Sequence, residues 1–251
     1  MRQIGIEVAT ELESQGLVGR PLFWNRDREH LLSDLVGILK YDHQREPRGT
    51  VVATELKFGL PDGDFPPLTR KLPSGRTVDF RGSIDRVEKT DAGTLVVVDY
   101  KTGKIDSYKK LSPEDPILGG SQLQLPLYAV AANNYLGQDV NEVHASYWFT
   151  SDSQRWATRG YPVSREVLDA FDEAIDVIVD GIEGGLFPPK PAPSSSRFTG
   201  VGKCVFCDPD ELGTREIEEK WKALSLLDSL GPYTQLRGEG AIATNGKGDD
   251  E

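Results

Sequence analysis

The chain has 251 residues, a hydrophobic fraction of 37%, a charged fraction of 27% and a formal net charge of −11. This length can bury one substantial core, and no apolar run approaches the roughly 20 residues that a membrane-spanning helix needs. The net charge argues against a protein that coats nucleic acid over its whole surface, but it is compatible with an enzyme that binds DNA in one local basic channel. Two cysteines form no disulfide framework, which favours a cytoplasmic protein.

The N-terminal part of the chain has helical patterns. Apolar residues recur every four positions from Ile4 to Leu12, before the glycine-containing turn at 16–19. A second amphipathic stretch covers 26–39. Apolar side chains at this spacing form one buried face of a helix, so we predict that residues 1–45 are helical.

Strand patterns come next, separated by turn residues. The run 95–98 is apolar and β-branched without alternation, which is expected for a central strand covered on both faces. Residues 121–136 have a helical pattern, and Ser164 is a suitable N-cap for a helix over 165–183. The predicted strands are 51–58, 77–87, 94–100, 143–150 and 156–162.

This order of elements predicts an α/β fold in a single domain over residues 1–236. The domain would consist of a helical part (1–45), a core (51–185) and a C-terminal loop and helix (186–236). Residues 237–251 are polar and end in acidic side chains, so we predict a disordered tail there.

Three polar residues at predicted strand ends form a candidate catalytic group. Asp99 and Lys101 stand two positions apart after the apolar run, so both side chains point to one face, and a hairpin brings Asp85 alongside them. Two carboxylates this close repel each other, and a hard divalent cation such as Mg²⁺ is their natural partner. A bound Mg²⁺ polarises a phosphoryl oxygen and activates water, and the lysine orients that water and offsets developing charge. The three residues predict metal-dependent hydrolysis of phosphodiester bonds.

A helix downstream strengthens this interpretation. Gln124 and Tyr128 lie four positions apart and share one face of the predicted helix. We predict that this face points at the metal site and contacts the DNA backbone. An Asp-x-Lys pattern alone occurs by chance on solvated strand ends, and Tyr128 alone is typical of a core aromatic. The combination of all five residues favours a nuclease.

With these motifs the chain resembles the PD-(D/E)XK nuclease superfamily, and within it the nuclease domain of bacterial AddB- and RecB-type recombination helicase–nucleases. The resemblance covers residues 16–222. It implies a restriction-endonuclease-like core in which helices flank a central mixed sheet. The matching blocks are 55–59, 82–87, 99–103, 124–129, 147–149 and 204–221.

The resemblance also implies roles for the site residues. Asp85, Asp99 and the backbone carbonyl of Tyr100 would bind Mg²⁺ or Mn²⁺, Lys101 would be the catalytic lysine, and the two helix residues would form the family's helix motif. Members of the family degrade DNA ends during double-strand break repair beside a helicase. The expected function is therefore that of a Mg²⁺-dependent DNA exonuclease with a helicase subunit as partner.

The cysteines depart from the family pattern. Related domains end in C-x2-C-x5-C, which holds an iron–sulfur cluster together with a cysteine near the N-terminus. Cys204 and Cys207 match the first pair, but Gly213 takes the third position, and the chain has no other cysteine. Four-thiolate ligation by this chain alone is therefore excluded. No histidine or carboxylate stands at zinc-ligand spacing, so we interpret the pair as non-ligating thiols.

The N-terminal part departs as well. Family members carry an upstream helix whose histidine or acidic residue completes the metal site, and the segment from Ile4 onward resembles the part of the family that comes after that helix. His30 stands beside the apolar stripe of the second helix and has the pattern of a surface or packing residue, and Glu55 is a weak candidate for a substitute carboxylate. The alternative function is therefore a degenerate nuclease fold that binds DNA or docks on a helicase without cutting. An ATPase is disfavoured because no P-loop motif occurs.

Overall fold

The structure is a computed structural model that describes residues 1–46, 48–188 and 217–238. The helices are α1 (Arg2–Ser14), α2 (Pro21–Gln44), α3 (Gln124–Leu136), α4 (Arg165–Glu183), α5 (Ile217–Leu224) and α6 (Gly231–Leu236). The strands are β1 (Thr50–Phe58), β2 (Leu68–Lys71), β3 (Thr77–Phe80), β4 (Gly82–Lys89), β5 (Thr94–Lys101), β6 (Glu142–Phe149) and β7 (Thr158–Pro162). Short 3₁₀ turns cover Ile105–Tyr108, Asp152–Gln154 and Asp228–Leu230. None of these described helices is long and apolar enough to cross a bilayer.

The sheet is mixed, as predicted. Five strands hydrogen-bond in the order β1-β4-β5-β6-β7, and β2 pairs with β3 in a separate hairpin. Strands β5 and β6 run parallel, whereas the other neighbours in the large sheet are antiparallel. Parallel neighbours need a long crossover connection, and here that connection carries α3. The predicted fold class is therefore confirmed.

Some predicted strand boundaries were wrong. The segment predicted as one strand, 77–87, is two strands, β3 and β4, that separate at Arg81. The two parts have different partners, since Phe80 pairs with Leu68 in β2 and Gly82 pairs with Phe58 in β1. Strand β2 was not predicted, because a four-residue strand has too few positions to show alternation.

The helix boundaries differ less. Helix α2 begins at Pro21, five residues before the predicted stretch, because proline at the first position of a helix needs no hydrogen-bond partner for its nitrogen. Helix α3 begins at Gln124 rather than at Ser121. Helix α4 has the predicted bounds, and the Ser164 hydroxyl accepts a hydrogen bond from the Val167 amide at 3.4 Å, as an N-cap does.

Two compact units make up the chain. The first comprises Met1–Lys71, Thr77–Leu118 and Gln122–Phe171, and the second comprises Leu72–Arg76, Gly119–Ser121 and Asp172–Glu251. The first unit contains the five-stranded sheet and a core in which Phe58, Ile84, Val97, Tyr147 and Phe149 are fully buried. Within the second unit, Arg76 forms salt bridges with Asp176 and Asp180 at 3.2 and 2.7 Å. A single domain over 1–236 stays a prediction.

A buried ionic cluster joins α2 to the sheet, and we call it the back-face cluster. It consists of Asp42 near the end of α2, Arg45 directly after that helix, and Arg86 and Glu88 from β4. Asp42 accepts hydrogen bonds from Arg45 at 2.8 Å and from Arg86 at 2.9 Å, and both arginines pair with Glu88. The guanidinium groups also lie over the ring of Trp148. Removal of any one partner would leave a buried charge uncompensated. The cluster therefore favours the one position of α2 on the sheet in which all four side chains are paired.

The back-face cluster makes the stability of the protein depend on pH. Burial tends to raise the pKa of Asp42, but hydrogen bonds and charges from Arg45 and Arg86 outweigh it and lower that pKa. We expect Asp42→Asn to reduce the free energy of unfolding by about 3–5 kcal/mol at neutral pH. A carboxyl group whose pKa is depressed by folding contributes stability above its unfolded pKa and loses that contribution as pH falls through the folded pKa. The difference should therefore shrink below about pH 4.

Urea denaturation of both proteins across this pH range measures the effect. The matched control is Asp27→Asn on the same helix, because Asp27 pairs with Arg26 at an exposed position. This control should change stability by less than about 0.5 kcal/mol. Equal effects of the two substitutions, or a difference at Asp42 that is independent of pH, would contradict the prediction.

Candidate active site

The site forms where β4 and β5 separate. The pairing of the two strands begins with Lys89 opposite Leu95 and ends with Arg86 opposite Val98. Beyond that last pair, the Tyr100 amide donates a hydrogen bond to Asp85 Oδ2 at 2.7 Å instead of to a strand carbonyl. The carboxylate of Asp85 therefore accepts the hydrogen bond of the Tyr100 amide in β5, and this bond holds the carboxylate in a fixed orientation.

Asp99 and Lys101 face the same side of β5, as the alternation predicted. Asp99 is 4% exposed, and its Oδ2 lies 2.5 Å from the Lys101 ammonium. Burial raises the pKa of Asp99, Lys101 opposes this increase, and the nearby charge of Asp85 adds to it. The site thus brings together two carboxylates and one ammonium at the end of an apolar strand, and one of the carboxylates is poorly solvated.

Helix α3 supplies the next layer of contacts. Lys101 Nζ donates a hydrogen bond to Gln124 Oε1 at 2.8 Å, and Gln124 Nε2 lies 3.4 Å from the Tyr128 hydroxyl. Burial raises the pKa of Tyr128, and the charges of Asp99 and Asp85 raise it further against a hydrogen bond from Gln124, so the phenol stays neutral. The prediction that Gln124 and Tyr128 share a face directed at the site agrees with this geometry.

The donor set fits a hard divalent cation. Asp85 and Asp99 offer carboxylate oxygens, and carboxylates and carbonyls are the ligands that Mg²⁺ prefers. Asp99 Oδ2 is buried, and its contact with Lys101 lies outside hydrogen-bond geometry, so one anionic oxygen lacks a well-directed donor. A divalent cation would provide the partner that this carboxylate oxygen lacks. Among the described residues, no group of three or more His, Cys, Asp or Glu side chains could hold a metal ion.

The two substitute ligands considered from the sequence do not join the pair of aspartates. Glu55 is exposed, and its Oε2 accepts a hydrogen bond from the Ser83 hydroxyl at 3.3 Å. Its backbone has a φ of +50°, which is rare for a non-glycine residue within a strand. His30 lies on the exposed side of α2, as predicted. Cys204, Cys207 and Gly213 lie outside the residues that the structure describes.

Tyr147 is the neighbour of the site that sequence reasoning missed. Its ring centroid lies 4.9 Å from Lys101 Nζ. The sequence showed Tyr147 only as part of a matching block. Because β5 and β6 are parallel with Asp99 opposite Tyr147, the two side chains share a face. The period-two pattern of Tyr147 and Phe149 was visible in the sequence, but the register that places it beside Asp99 was not.

The fold and this constellation together define a class of protein. The family model of the PD-(D/E)XK nuclease superfamily matches residues 5–212. That span is well over half of the chain, and the chain belongs to this superfamily. Nucleases of this kind generally use divalent metal ions.

Several curated proteins are similar in sequence to this chain, and each is named as a subunit of an ATP-dependent helicase/deoxyribonuclease. The chain is 35% identical over 160 residues to the protein of Geobacillus kaustophilus, covering 59% of this chain and 13% of that protein. It is 35% identical over 130 residues to the Desulforudis audaxviator protein of the same name, covering 50% and 11%. With the Clostridium tetani protein it shares 46% identity over 79 residues, covering 30% and 6%. The matched segments are thus a small part of each relative.

Proposed function

We propose that the chain is a Mg²⁺-dependent deoxyribonuclease, and specifically an exonuclease that hydrolyses phosphodiester bonds at DNA ends during double-strand break repair. One observation carries the proposal. In a chain of the nuclease superfamily, Asp85, Asp99 and Lys101 converge where β4 and β5 separate. We further propose that residues 1–236 form one nuclease domain.

Asp85, Asp99 and the backbone carbonyl of Tyr100 hold the cation in this proposal, with Mn²⁺ as a substitute for Mg²⁺. When bound, the cation supplies polarisation of a phosphoryl oxygen and lowers the pKa of a coordinated water. Asp85 is oriented for this task by the Tyr100 amide, and the carboxylate of Asp99 is desolvated. A desolvated anion interacts more strongly with a cation than a hydrated one does.

Lys101 orients the attacking water and stabilises the negative charge that develops on the phosphate oxygens. Gln124 accepts a hydrogen bond from the Lys101 ammonium and thereby limits where that group points. Gln124 and Tyr128 contact the DNA backbone from α3. Tyr128 is 9% exposed, so Gln124 makes the larger share of this contact and Tyr128 supports it.

We propose a helicase subunit as the partner and the cytoplasm as the place of action. The relatives are named helicase/deoxyribonuclease subunits. The chain has no G-x-x-x-x-G-K-[ST] motif for binding ATP phosphates. Any ATP-driven unwinding that feeds DNA to this site must therefore come from another polypeptide segment.

A second candidate function is a non-cleaving nuclease fold that binds DNA or docks on a helicase. It is favoured by the finding that no third acidic or histidine side chain joins Asp85 and Asp99 among the described residues. Two carboxylates and a carbonyl leave more of the cation's ligands to water and substrate than a fuller set would. The two functions differ in whether DNA is cut.

Cleavage of end-labelled linear duplex DNA tests the proposal. In Mg²⁺ or Mn²⁺ we expect progressive loss of the linear DNA, and in EDTA we expect none, because the cation is required to activate water. A covalently closed circular duplex is the matched control, since it has no ends and should survive. Cutting of the circle would instead indicate an endonuclease. DNA binding without cleavage in either metal would favour the second candidate.

A further inference from the structure

The ammonium of Lys101 is surrounded by three different groups. Asp99 supplies a charge at 2.5 Å, Gln124 an acceptor at 2.8 Å, and the third is the ring of Tyr147 at 4.9 Å. An ammonium within about 6 Å of an aromatic centroid is attracted by the negative face of the ring. The side chain of Lys101 is 21% exposed, so this attraction acts with little competing water.

The ring of Tyr147 is fixed by its own neighbours. Tyr147 has no exposed surface, and the ring of Tyr108 contacts it in a T-shaped arrangement with centroids 4.8 Å apart. Its hydroxyl donates a hydrogen bond to Gln122 Oε1 at 3.4 Å. Burial and the charge of Asp99 raise the pKa of the phenol, so it stays neutral. The ring is therefore a rigid, uncharged surface on one side of the lysine.

A rigid surface of this kind helps to hold the flexible side chain of Lys101 in one position. That side chain has four rotatable bonds, and holding it in one rotamer costs conformational entropy. Asp99 restrains the ammonium through a charge contact and Gln124 through a hydrogen bond, and a cation and DNA would compete for both. The contact between the Tyr147 ring and the ammonium is not open to this competition. The ring is buried, and among the described residues Lys101 is the only cation that lies over it.

We infer that Tyr147 is a positioning residue for Lys101, and that its ring, rather than its hydroxyl, holds the ammonium where phosphodiester cleavage requires it. This role rests on the proposed function as far as activity is concerned. The contact between ring and ammonium does not, and it can be measured without DNA.

The kinetic test compares Tyr147→Phe with Tyr147→Leu. The phenylalanine variant keeps the ring and should retain kcat within about threefold, whereas the leucine variant should lower kcat about 10- to 30-fold with little change in KM. Tyr161→Leu is the matched control, because Tyr161 is also a buried strand tyrosine (its hydroxyl donates to the Pro116 carbonyl at 2.7 Å) and is not part of the site. The control should keep kcat near the wild-type value.

The second test is nuclear magnetic resonance of the lysine ε-methylene groups, with the Lys101 signal assigned by its loss in Lys101→Arg. A ring face beside the ammonium should shift this signal upfield in the wild type and in Tyr147→Phe. An ordinary chemical shift in the wild type would overturn the inference, even if Tyr147→Leu does not fold. Equal loss of kcat in both tyrosine variants would also overturn it. An upfield signal in a protein that cuts no DNA would confirm the contact and reject only the proposed function.

Discussion

Replacement of Lys101 by alanine is expected to lower the rate of DNA cleavage by about 10²–10³-fold while changing DNA affinity by less than about tenfold. The ammonium stabilises charge that appears only in the transition state, so its loss affects kcat more than binding. One lysine is one of several phosphate contacts, which limits its effect on affinity. Single-turnover cleavage and a filter-binding titration in Ca²⁺ measure the two quantities separately.

The control for this variant is Lys89→Ala. Lys89 lies in β4 at the far end of the same hairpin, where its ammonium donates a hydrogen bond to the Gln138 carbonyl at 2.7 Å. Cleavage by this variant should match the wild type. Because removal of Lys101 also leaves Asp99 without its ion pair, the unfolding temperature of both variants must be compared. Wild-type cleavage by a folded Lys101→Ala protein would remove the lysine from the mechanism.

Replacement of Asp99 by asparagine is expected to abolish metal-dependent cleavage and to raise the unfolding temperature of the metal-free protein. Burial raises the pKa of Asp99 despite Lys101, so the ionised carboxylate opposes folding at neutral pH. A group with a raised pKa becomes less destabilising as pH falls through that pKa, and a neutral amide has no such cost at any pH. The gain in EDTA should therefore be greatest at neutral pH and shrink on acidification.

The metal response distinguishes this interpretation from simple misfolding. A cation at one hundred times its dissociation constant adds about 2.7 kcal/mol to the stability of a protein that binds it only when folded. Mg²⁺ should thus raise the unfolding temperature of the wild type and leave Asp99→Asn unchanged. Asp91→Asn, in the exposed turn between β4 and β5, is the control and should respond as the wild type does. A full response by Asp99→Asn would place the metal elsewhere.

Local patterns in the sequence were sufficient to predict the centre of the site. The alternation of side chains along a strand places Asp99 and Lys101 on one face, and it does so wherever the strand lies. The apolar run before them, 95–98, predicted a buried central strand, and Leu95, Val97 and Val98 are fully buried. The helical spacing of Gln124 and Tyr128 similarly predicted their common face.

Boundaries that depend on strand partners were not predictable in this way. The interruption at Arg81 follows from a change of partner, from β2 for Phe80 to β1 for Gly82. Nothing in the alternation of 77–87 marks that change. The back-face cluster was missed for a related reason, since Asp42 and Arg86 are 44 positions apart and meet only through the packing of α2 on the sheet.

The amino-acid sequence is sufficient to establish which chemical groups are present and which of them share a face of one element, because those relations follow from helix and strand periodicity. Which elements lie side by side depends instead on how the chain packs in three dimensions. The parallel register of β5 and β6 placed Tyr147 next to Asp99 and Lys101, and the crossover through α3 brought Gln124 to the ammonium. Such contacts depend on long-range pairing, whose register is fixed by the packing of the whole sheet.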